Sequence, residues 1–310
     1  MKKIVTIIGP TASGKTNLAI KLAKRCNGEI VGLDSRQIYK GMEIGTAQPT
    51  RKEMDGVCHH LIGFRNPSEP ISAGEFSSMV SAKINEIQRK NKIAIICGGA
   101  GLYFRALSRG IFHGSISNLV VRKNLEKLYD KNPMKLYNRL KSIDSEYCEI
   151  VHVNNKKRLI RALEIYETTK KSPSENFKDQ KLLRAKNLSL FTILLKWDKH
   201  ILNDRIFKRT KMMIRDGWVD EVRLLIKKRE EGKIDFPSLD SIGYKQIHSY
   251  LNGGFTSDEL IEKISIKTRQ YARKQMQWFN KEVIDLFVEM DNIKNKNIDQ
   301  ILHGLLKTFF

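Results

Sequence analysis

The chain has 310 residues, of which 41% are apolar, so it can bury a large core, and its length suits two domains or one domain with a sizeable insertion. Its 56 lysines and arginines outnumber its 34 aspartates and glutamates, which gives a formal net charge of +22. Such a positive field attracts polyanions, so nucleic acid is the leading partner and an anionic membrane surface is the second. A general lysine bias of the source proteome is a third explanation of the same charge.

The cysteines and the apolar runs exclude several classes of protein. Four cysteines lie far apart and form no paired ligand spacing: Cys26, Cys58, Cys97 and Cys148. This pattern predicts reduced thiols in a soluble, cytoplasmic protein, and Cys58-His59-His60 has no second ligand cluster that would favour a metal site. No stretch approaches the roughly 18 apolar residues of a membrane span, and Gly9-Pro10 interrupts the apolar start too early for a signal peptide.

The first motif in chain order is a phosphate loop at residues 9–16, which matches the pattern G-x-x-x-x-G-K-[ST]. A β-rich run over residues 4–8 precedes the loop, and apolar residues at helical spacing follow it. In this context backbone N–H groups and a helix N-terminus face a phosphate, Lys15 reaches the terminal oxygens and Thr16 can hold Mg²⁺. The predicted phosphate-binding residues are Gly9, Pro10, Thr11, Ala12, Ser13, Gly14, Lys15 and Thr16. The loop predicts a bound phosphate or pyrophosphate but does not specify a reaction.

Further strands are predicted to end at the same edge of a sheet. A run over residues 29–34 ends on the carboxylate of Asp34, which is open to two interpretations, catalysis or the N-cap of a helix. Another run over residues 93–97 leads into the glycine turn, Gly98-Gly99-Ala100-Gly101, and then into a helix. Strands that alternate with helices predict an α/β fold, a P-loop NTPase-like parallel sheet flanked by helices.

The middle of the chain has a different pattern, which predicts an inserted all-helical domain. We place this domain at residues 115–189 and the P-loop α/β core at residues 1–114 and 190–310. Ten Lys or Arg against four Asp or Glu between residues 151 and 190 favour a surface that follows a phosphate backbone over a solvated helix face. Residues 170–174 are predicted to form a mobile loop. After a strand at 191–195, the last helix is predicted at residues 260–278.

These motifs, in this order, resemble those of the bacterial tRNA dimethylallyltransferases, also called tRNA isopentenyltransferases, over nearly the whole chain. Beside the phosphate loop, the similar stretches are DSRQIY at 34–39, GMEIGTA at 41–47, HHLI at 59–62, GGAGLY at 98–103, RLIRALE at 158–164, IGYK at 242–245 and TRQYAR at 268–273. The resemblance implies a monomeric prenyltransferase. It implies transfer of a dimethylallyl group from dimethylallyl pyrophosphate to N6 of adenosine 37, next to the tRNA anticodon, with Mg²⁺.

The resemblance also implies roles for single residues. Asp34 would act as the general base on the attacking amine, and Lys15 and Arg205 would contact the pyrophosphate, with Arg209 as the second choice. A leaving pyrophosphate gains negative charge, so N–H donors, a lysine and a cation at this place fit the chemistry independently. The target base must be flipped out of the stacked anticodon loop. The predicted tRNA contacts are Asp34, Ser35, Arg36, Gln37, Ala100, Arg122, Lys157, Arg158, Leu159, Ile160 and Arg161.

Two positions depart from the family pattern and keep alternatives open. Ala100 stands where the family commonly has a Thr whose hydroxyl orients the reacting groups, and Gly63 replaces the acidic residue that usually follows HHLI. One alternative is therefore a diverged tRNA-binding paralogue with weak or lost transferase activity. The phosphate loop alone is also consistent with a small-molecule or nucleotide kinase that binds ATP, and a relative that prenylates free adenine nucleotides is a third alternative. Neither of the last two would need the basic insertion.

Overall fold

The computed structural model describes residues 4–110, 118–182, 188–291 and 295–309. The chain divides into two compact units, of which the first comprises Met1–Pro70, Met79–Phe104 and Leu188–Phe310 and the second Ile71–Ser78 and Arg105–Asn187. The predicted domain boundary at residues 114 and 115 lies outside the described residues, as does the start of the chain at residues 1–3. The limits of the insertion at 115–189 therefore stay a prediction.

The first unit contains a six-stranded parallel sheet. Its strands are β1 (Ile4–Ile8), β2 (Gly28–Leu33), β3 (His59–His60), β4 (Ile93–Gly98), β5 (Leu190–Lys196) and β6 (Leu286–Glu289). Their spatial order is β3-β2-β4-β1-β5-β6. All five residues of β1 are buried, as expected for an apolar strand that is paired on both sides and covered on both faces. The predicted α/β fold with a parallel sheet is confirmed.

Helices connect these strands and fill the interval between β4 and β5. In chain order they are α1 (Lys15–Arg25), α2 (Arg51–Met54), α3 (Ala73–Arg89), α4 (Gly101–Arg109), α5 (Leu119–Lys131), α6 (Pro133–Ile143), α7 (Ser145–Cys148), α8 (Lys156–Thr169), α9 (Pro173–Leu182), α10 (Lys199–Arg215), α11 (Trp218–Gly232), α12 (Tyr244–Leu251), α13 (Ser257–Phe279) and α14 (Asn295–Phe309). None of the helices in the described part of the chain is both long and apolar enough to cross a membrane.

The end of the chain differs from the sequence-based expectation. The helix predicted at 260–278 is α13, but it is not the last element, because β6 and α14 follow it. Leu302 and Leu305 of α14 pack into the same core as Val5 and Leu18. The four residues of β6 are too few to show a period in the sequence, which is why this edge strand was missed.

The second unit is helical and has its own core. Helices α5 to α8 contribute most of the buried residues of this core, among them Leu125, Leu136 and Leu163. The loop predicted at 170–174 is confirmed only over residues 170–172, because α8 ends at Thr169 and α9 begins at Pro173, and its mobility stays a prediction. The Ser172 hydroxyl accepts a hydrogen bond from Glu175 N at 3.2 Å, and Ser172 N donates to Glu175 Oε2 at 2.7 Å. This reciprocal pair, with a proline at the first helical position, is a helix-start signal that the sequence analysis overlooked.

Candidate active site at the carboxyl edge of the sheet

The phosphate loop joins β1 to α1 in a conformation that only certain residues allow. Gly9 and Gly14 have positive φ values of 157° and 88°, where glycine avoids the strain of a side chain. A Cβ at Gly9 would also lie 3.0 Å from both the Leu195 carbonyl oxygen and Ser13 Oγ. Lys15, the first residue of α1, extends back over the loop, and its Nζ donates to the Pro10 carbonyl oxygen at 2.6 Å. Its ammonium therefore lies at a helix N-terminus, where an anion is favoured.

The surroundings of Lys15 favour the binding of an anion beside its ammonium group. Burial lowers the pKa of Lys15 to about 8, and Arg209 lowers it as well, whereas Cys97 and Asp34 raise it. A partly desolvated ammonium regains stability when an anion binds beside it. The loop thus combines a cation whose charged form is disfavoured with the backbone donors that a phosphate group requires.

Helix α10 brings two arginines to the phosphate loop. Arg205 Nε donates to the Ala12 carbonyl oxygen at 2.9 Å, and Arg209 Nη1 lies 3.4 Å from Thr11 Oγ1. Trp197, which the sequence analysis did not single out, supports this arrangement from the end of β5. Its Nε1 donates to the Ser13 carbonyl oxygen at 2.9 Å, and its ring lies 4.2 Å from the Arg205 guanidinium. The position of Trp197 directly after a core strand was the available signal.

Asp34 follows β2 and uses one carboxylate oxygen to hold the next turn. Its Oδ1 accepts hydrogen bonds from Arg36 N at 2.8 Å and from Gln37 N at 3.4 Å. Among the described residues, no hydrogen bond is made to its Oδ2. No helix begins at Asp34, since the next one is α2 at Arg51, so the N-cap interpretation is wrong. One oxygen of Asp34 holds a turn, and the other can accept a proton.

The glycine turn at residues 98–101 lies next to Asp34. Gly99 N and Ala100 N donate to the Leu33 carbonyl oxygen at 3.1 and 3.2 Å. A Cβ at Gly98 would lie 2.0 Å from the same oxygen, so this close approach requires glycine. Ala100 is buried. The position at which this chain departs from the family's usual Thr is thus adjacent to the backbone that carries Asp34.

Gln275 of α13 connects the phosphate loop with the glycine turn, and the sequence analysis missed it. Its Oε1 accepts a hydrogen bond from Thr11 N at 2.9 Å, and its Nε2 donates to the Gly99 carbonyl oxygen at 2.8 Å. Gln275 is buried, and a Cβ at Gly99 would lie 2.4 Å from its Nε2. The similar stretch TRQYAR ends two residues before Gln275. A polar residue in register with the buried face of an amphipathic helix was the signal for it.

The strand order brings the two halves of the site together. Strand β4 lies between β2 and β1, so the residues that follow β2 and β1 are two inter-strand spacings apart, about 10 Å. Burial lowers the pKa of Arg209. The Asp34 carboxylate opposes this shift, and it also opposes the lowering of the pKa of Lys15. Burial raises the pKa of Tyr271, and Asp34 raises it further. Asp34, both cations and Tyr271 therefore face one edge.

The predicted metal position has oxygen chemistry around it. Thr16 is the second residue of α1 and directly follows Lys15. Burial raises the pKa of Cys97 to about 11, so the thiol keeps its proton and is a poor metal ligand. A hydroxyl beside a bound diphosphate suits a hard cation such as Mg²⁺, which takes most of its ligands from phosphate and water.

A second cluster of potential ligands lies around β3. Cys58 and His60 have a partner that the sequence spacing did not show, since their ligand atoms and that of Glu29 lie within 4.8 Å of one another. Glu29 Oε2 is 2.6 Å from His60 Nε2, and Lys92 Nζ donates to Glu29 Oε1 at 2.6 Å. Burial raises the pKa of Glu29, but the hydrogen bonds from Lys92 and His60 outweigh it and keep the net shift downward. We interpret the cluster as an ion-pair network that holds β3 beside β2, and we assign no metal to it.

The departure at Gly63 has a local structural explanation. Gly63 has a φ of +56°, which favours glycine over a residue with a side chain. Its N donates to the Gln37 carbonyl oxygen at 2.8 Å. A Cβ there would lie 2.9 Å from Gln48 Oε1. Glycine at this position therefore suits the backbone next to the turn of Asp34.

The second unit contains the remaining predicted RNA contacts, and the structure divides them into three kinds. Lys157 and Arg158 are exposed at the start of α8. Arg122 and Arg161 each lie 2.8 Å from Oε2 of the buried Glu164. Burial would raise the pKa of Glu164, but hydrogen bonds from Arg161 and Arg122 lower it, so this carboxylate carries a charge that both arginines balance.

The assignment of RNA contacts to Leu159 and Ile160 needs correction. Both side chains are buried in the core of the second unit. They belong to the apolar side of the amphipathic helix α8, which also buries Ala162 and Leu163. Contact with RNA through their side chains is therefore excluded in this structure. Their apolar character serves packing.

Comparison with known proteins identifies the family. Residues 37–282 match the family model described as IPP transferase. A protein of Anoxybacillus flavithermus named tRNA dimethylallyltransferase is 39% identical over 305 residues, which cover 97% of this chain and 96% of the relative. A protein of the same name from Acetivibrio thermocellus is 41% identical over 283 residues, covering 91% and 90%.

Solved structures show the same relationship. The full-length tRNA isopentenylpyrophosphate transferase of Bacillus halodurans superposes with a TM-score of 0.71 at 35% identity, covering 100% of this chain and 97% of that one. A eukaryotic dimethylallyltransferase described as acting on tRNA has a TM-score of 0.84 at 28% identity, covering 98% and 78%. The phosphate loop and Asp34 precede the segment that the family model matches, so they are an independent observation. The chain belongs to the IPP transferase family.

Proposed function

We propose that this chain transfers a dimethylallyl group from dimethylallyl diphosphate to N6 of adenosine 37 in tRNA. Membership of the IPP transferase family makes it a tRNA-modifying prenyltransferase. The donor, the nucleotide position, the cation and the residue roles are our proposal. The observation that carries it is the strand order: the phosphate loop follows β1 and Asp34 follows β2, so a carboxylate and a phosphate loop lie at the same carboxyl edge of the sheet.

The phosphate loop holds the leaving group in this proposal. Its backbone N–H groups and the Lys15 ammonium bind the diphosphate, and Arg205 and Arg209 lie on the loop from α10. As the C–O bond to the allylic carbon breaks, the electron pair leaves with the diphosphate, whose charge grows. Donors that are already oriented toward that charge stabilise the transition state more than the ground state.

Asp34 removes the proton from the attacking amine. The N6 nitrogen forms the new bond to the allylic carbon, and one of its hydrogens becomes acidic as positive charge develops on the nitrogen. Oδ2 of Asp34 accepts this proton while Oδ1 keeps its hydrogen bonds to the turn of Arg36 and Gln37. Since β4 lies between β2 and β1, the carboxylate and the phosphate loop are on different strands, and the allylic group would lie between them in this proposal.

Thr16 is the residue of this chain that would hold Mg²⁺. When bound, the cation would neutralise charge on the leaving diphosphate. The Thr16 hydroxyl offers one oxygen ligand, and the protonated Cys97 thiol does not compete for the ion. We expect removal of divalent cations by a chelator to lower the rate of transfer and added Mg²⁺ to restore it.

The helical unit binds the anticodon stem-loop in this proposal. Lys157 and Arg158 are exposed at the start of α8 and suit contacts to the phosphate backbone. Arg122 and Arg161 are held by Glu164, which fixes their guanidinium groups and lowers their entropy cost on binding RNA. We propose one protein chain per tRNA and a cytoplasmic site of action.

One labelling experiment separates this function from its competitors. The protein is incubated with Mg²⁺, unmodified tRNA and dimethylallyl diphosphate labelled in the allyl group, and the tRNA is then digested to nucleosides. Label in N6-(dimethylallyl)adenosine supports the proposal, and loss of that label with a tRNA that has guanosine in place of adenosine 37 assigns it to position 37. Label in free adenine nucleotides, consumption of ATP, or tight tRNA binding without label would instead indicate a nucleotide prenyltransferase, a kinase or an inactive paralogue.

A further inference from the structure

A buried carboxylate outside the proposed reaction centre holds the loop of residues 41–48. Glu221 of α11 is buried, and its Oε2 accepts a hydrogen bond from Ile44 N at 2.7 Å. Its Oε1 accepts from Gly45 N at 3.0 Å and from the Tyr244 hydroxyl at 2.7 Å. A buried carboxylate with three directional donors fixes the backbone that supplies them.

The loop is packed directly against the two helices that carry these side chains. A Cβ at Gly45 would lie 1.9 Å from Trp218 Nε1 and 2.4 Å from the Tyr244 hydroxyl oxygen. The Tyr244 hydroxyl is also 3.3 Å from the Met42 carbonyl oxygen. Because close-packed interiors leave no room to slide, Glu221, Trp218 and Tyr244 together specify one position for this loop.

The same loop occupies both N–H groups of the Gln37 side chain. Gln37 Nε2 donates to the Thr46 carbonyl oxygen at 3.2 Å and to the Ala47 carbonyl oxygen at 2.7 Å. Two carbonyl acceptors on one side determine the orientation of the amide, since its own oxygen would be repelled there. Gln37 is partly exposed, and among the described residues its Oε1 receives no hydrogen bond. Gln37 therefore presents an acceptor, and no donor, to an incoming base.

We propose that Gln37 is a specificity-determining residue whose Oε1 accepts a hydrogen bond from the exocyclic amine of the target adenosine, with Glu221 as its positioning residue. This inference rests on the proposed function. Gln37 N lies 3.4 Å from Asp34 Oδ1, so Gln37 belongs to the turn of the proposed proton acceptor. An amine whose two hydrogens point at Asp34 and Gln37 keeps its π electrons perpendicular to the base plane, toward the allylic carbon. A carbonyl at the same position, as in inosine, would face Oε1 and be repelled.

The test compares binding of two anticodon stem-loop RNAs, one with adenosine and one with inosine at position 37, by filter binding without any prenyl donor. The ratio of the two Kd values is the readout, because a ratio within one variant is independent of how much of that variant is folded. For the unchanged protein we expect a preference for adenosine of about tenfold, and for Gln37→Met a loss of most of it. Glu221→Gln should lower the ratio as well, because an amide in this place turns an N–H group against the donors of the loop.

A double-mutant cycle shows whether Glu221 acts through Gln37. If it does, adding Glu221→Gln to Gln37→Met leaves the ratio where Gln37→Met alone puts it. The matched control is Glu231→Gln, an exposed carboxylate on the same helix, 3.7 Å from Lys227. An adenosine-to-inosine ratio that Gln37→Met leaves unchanged would overturn the role of Gln37, and independent effects of the two substitutions would overturn the role of Glu221. If the protein transfers no label to tRNA but still binds the adenosine stem-loop more tightly than the inosine stem-loop, the proposed function is contradicted and this inference stands.

Discussion

The Asp34 carboxylate and the Lys15 ammonium interact across strand β4: burial lowers the pKa of Lys15 to about 8, and Asp34 opposes this shift. The two residues follow different strands, β2 and β1, and neither lies on β4. The glycine turn at residues 98–101 follows β4, and Gly99 N and Ala100 N donate hydrogen bonds to the Leu33 carbonyl oxygen next to Asp34. This arrangement leaves a short path between a proton acceptor and a diphosphate site, which is the geometry that an alkyl transfer to an amine requires.

The lowered pKa of Lys15 predicts a pH dependence for diphosphate binding. Below pH 8 the ammonium is charged in the free protein, whereas above pH 8 it has lost its proton and must regain it when the anion binds. Affinity for inorganic diphosphate should therefore fall above pH 8, by up to about tenfold per pH unit, with proton uptake on binding. Calorimetry at pH 7 and 9 in buffers of different ionisation enthalpy measures both quantities. Lys15→Arg, which stays charged, corrects for ionisation of the ligand, and equal proton uptake by both proteins at pH 9 would contradict the prediction.

Gln275 should be required to hold the phosphate loop and the glycine turn in their positions relative to each other. Gln275→Glu keeps an oxygen for Thr11 N but places a second oxygen against the Gly99 carbonyl. We expect the loss of this hydrogen bond to lower kcat/KM by about tenfold to a hundredfold. The matched control is Gln277→Glu, because Gln277 is exposed on the same helix. Similar activities of the two variants would show that the connection has no role in the reaction.

The residue at position 100 tests the effect of the departure from the family pattern. Ala100→Thr places a hydroxyl next to the turn of Asp34 and should raise the single-turnover rate of transfer by about tenfold. Ala100 is buried, so the larger threonine side chain could overpack the site. Ala100→Ser is therefore made as a second variant, because serine brings a hydroxyl with a smaller side chain. A decrease in rate with both variants would mean that this chain has adapted its site to alanine.

The start of α8 should contribute to the salt dependence of tRNA binding. Lys157→Ala combined with Arg158→Ala should reduce the slope of log Kd against log salt by about 2, because each side chain neutralises one phosphate. Lys178→Ala, an exposed lysine of α9 that pairs with Glu146 at 2.7 Å, is the control in the same unit. A slope that is unchanged in the double variant would exclude this end of α8 from the docking surface.

Much of the fold was predictable because its signals are local. The apolar runs at 4–8, 93–97 and 191–195 are core strands of a parallel sheet, which are buried on both faces and therefore show no alternation. The phosphate loop, Asp34 and the glycine turn were predictable as site elements, because each follows such a strand at the carboxyl edge. Strand β6 and helix α14 were not, since β6 is short and contributes one buried residue, Val288.

Contacts between distant segments could not be predicted from the sequence. Gln275 is 264 residues from Thr11, and Glu221 is 177 residues from Ile44, so no spacing rule connects either pair. The motif at 158–164 was similarly ambiguous, because a basic and apolar helix turn has an RNA-facing and a core-facing side. Burial assigns Leu159 and Ile160 to the core and leaves Lys157 and Arg158 at the surface.

The most direct test of the account is the single-turnover rate of transfer by Asp34→Asn with a prebound anticodon stem-loop. Asparagine keeps an Oδ1 that can accept from Arg36 N and Gln37 N but cannot take a proton from the amine. We predict a rate about a hundredfold to ten-thousandfold below that of the unchanged protein. The Kd for the RNA should stay within about threefold. A rate near that of the unchanged protein would show that Asp34 only caps its turn, and would contradict the account.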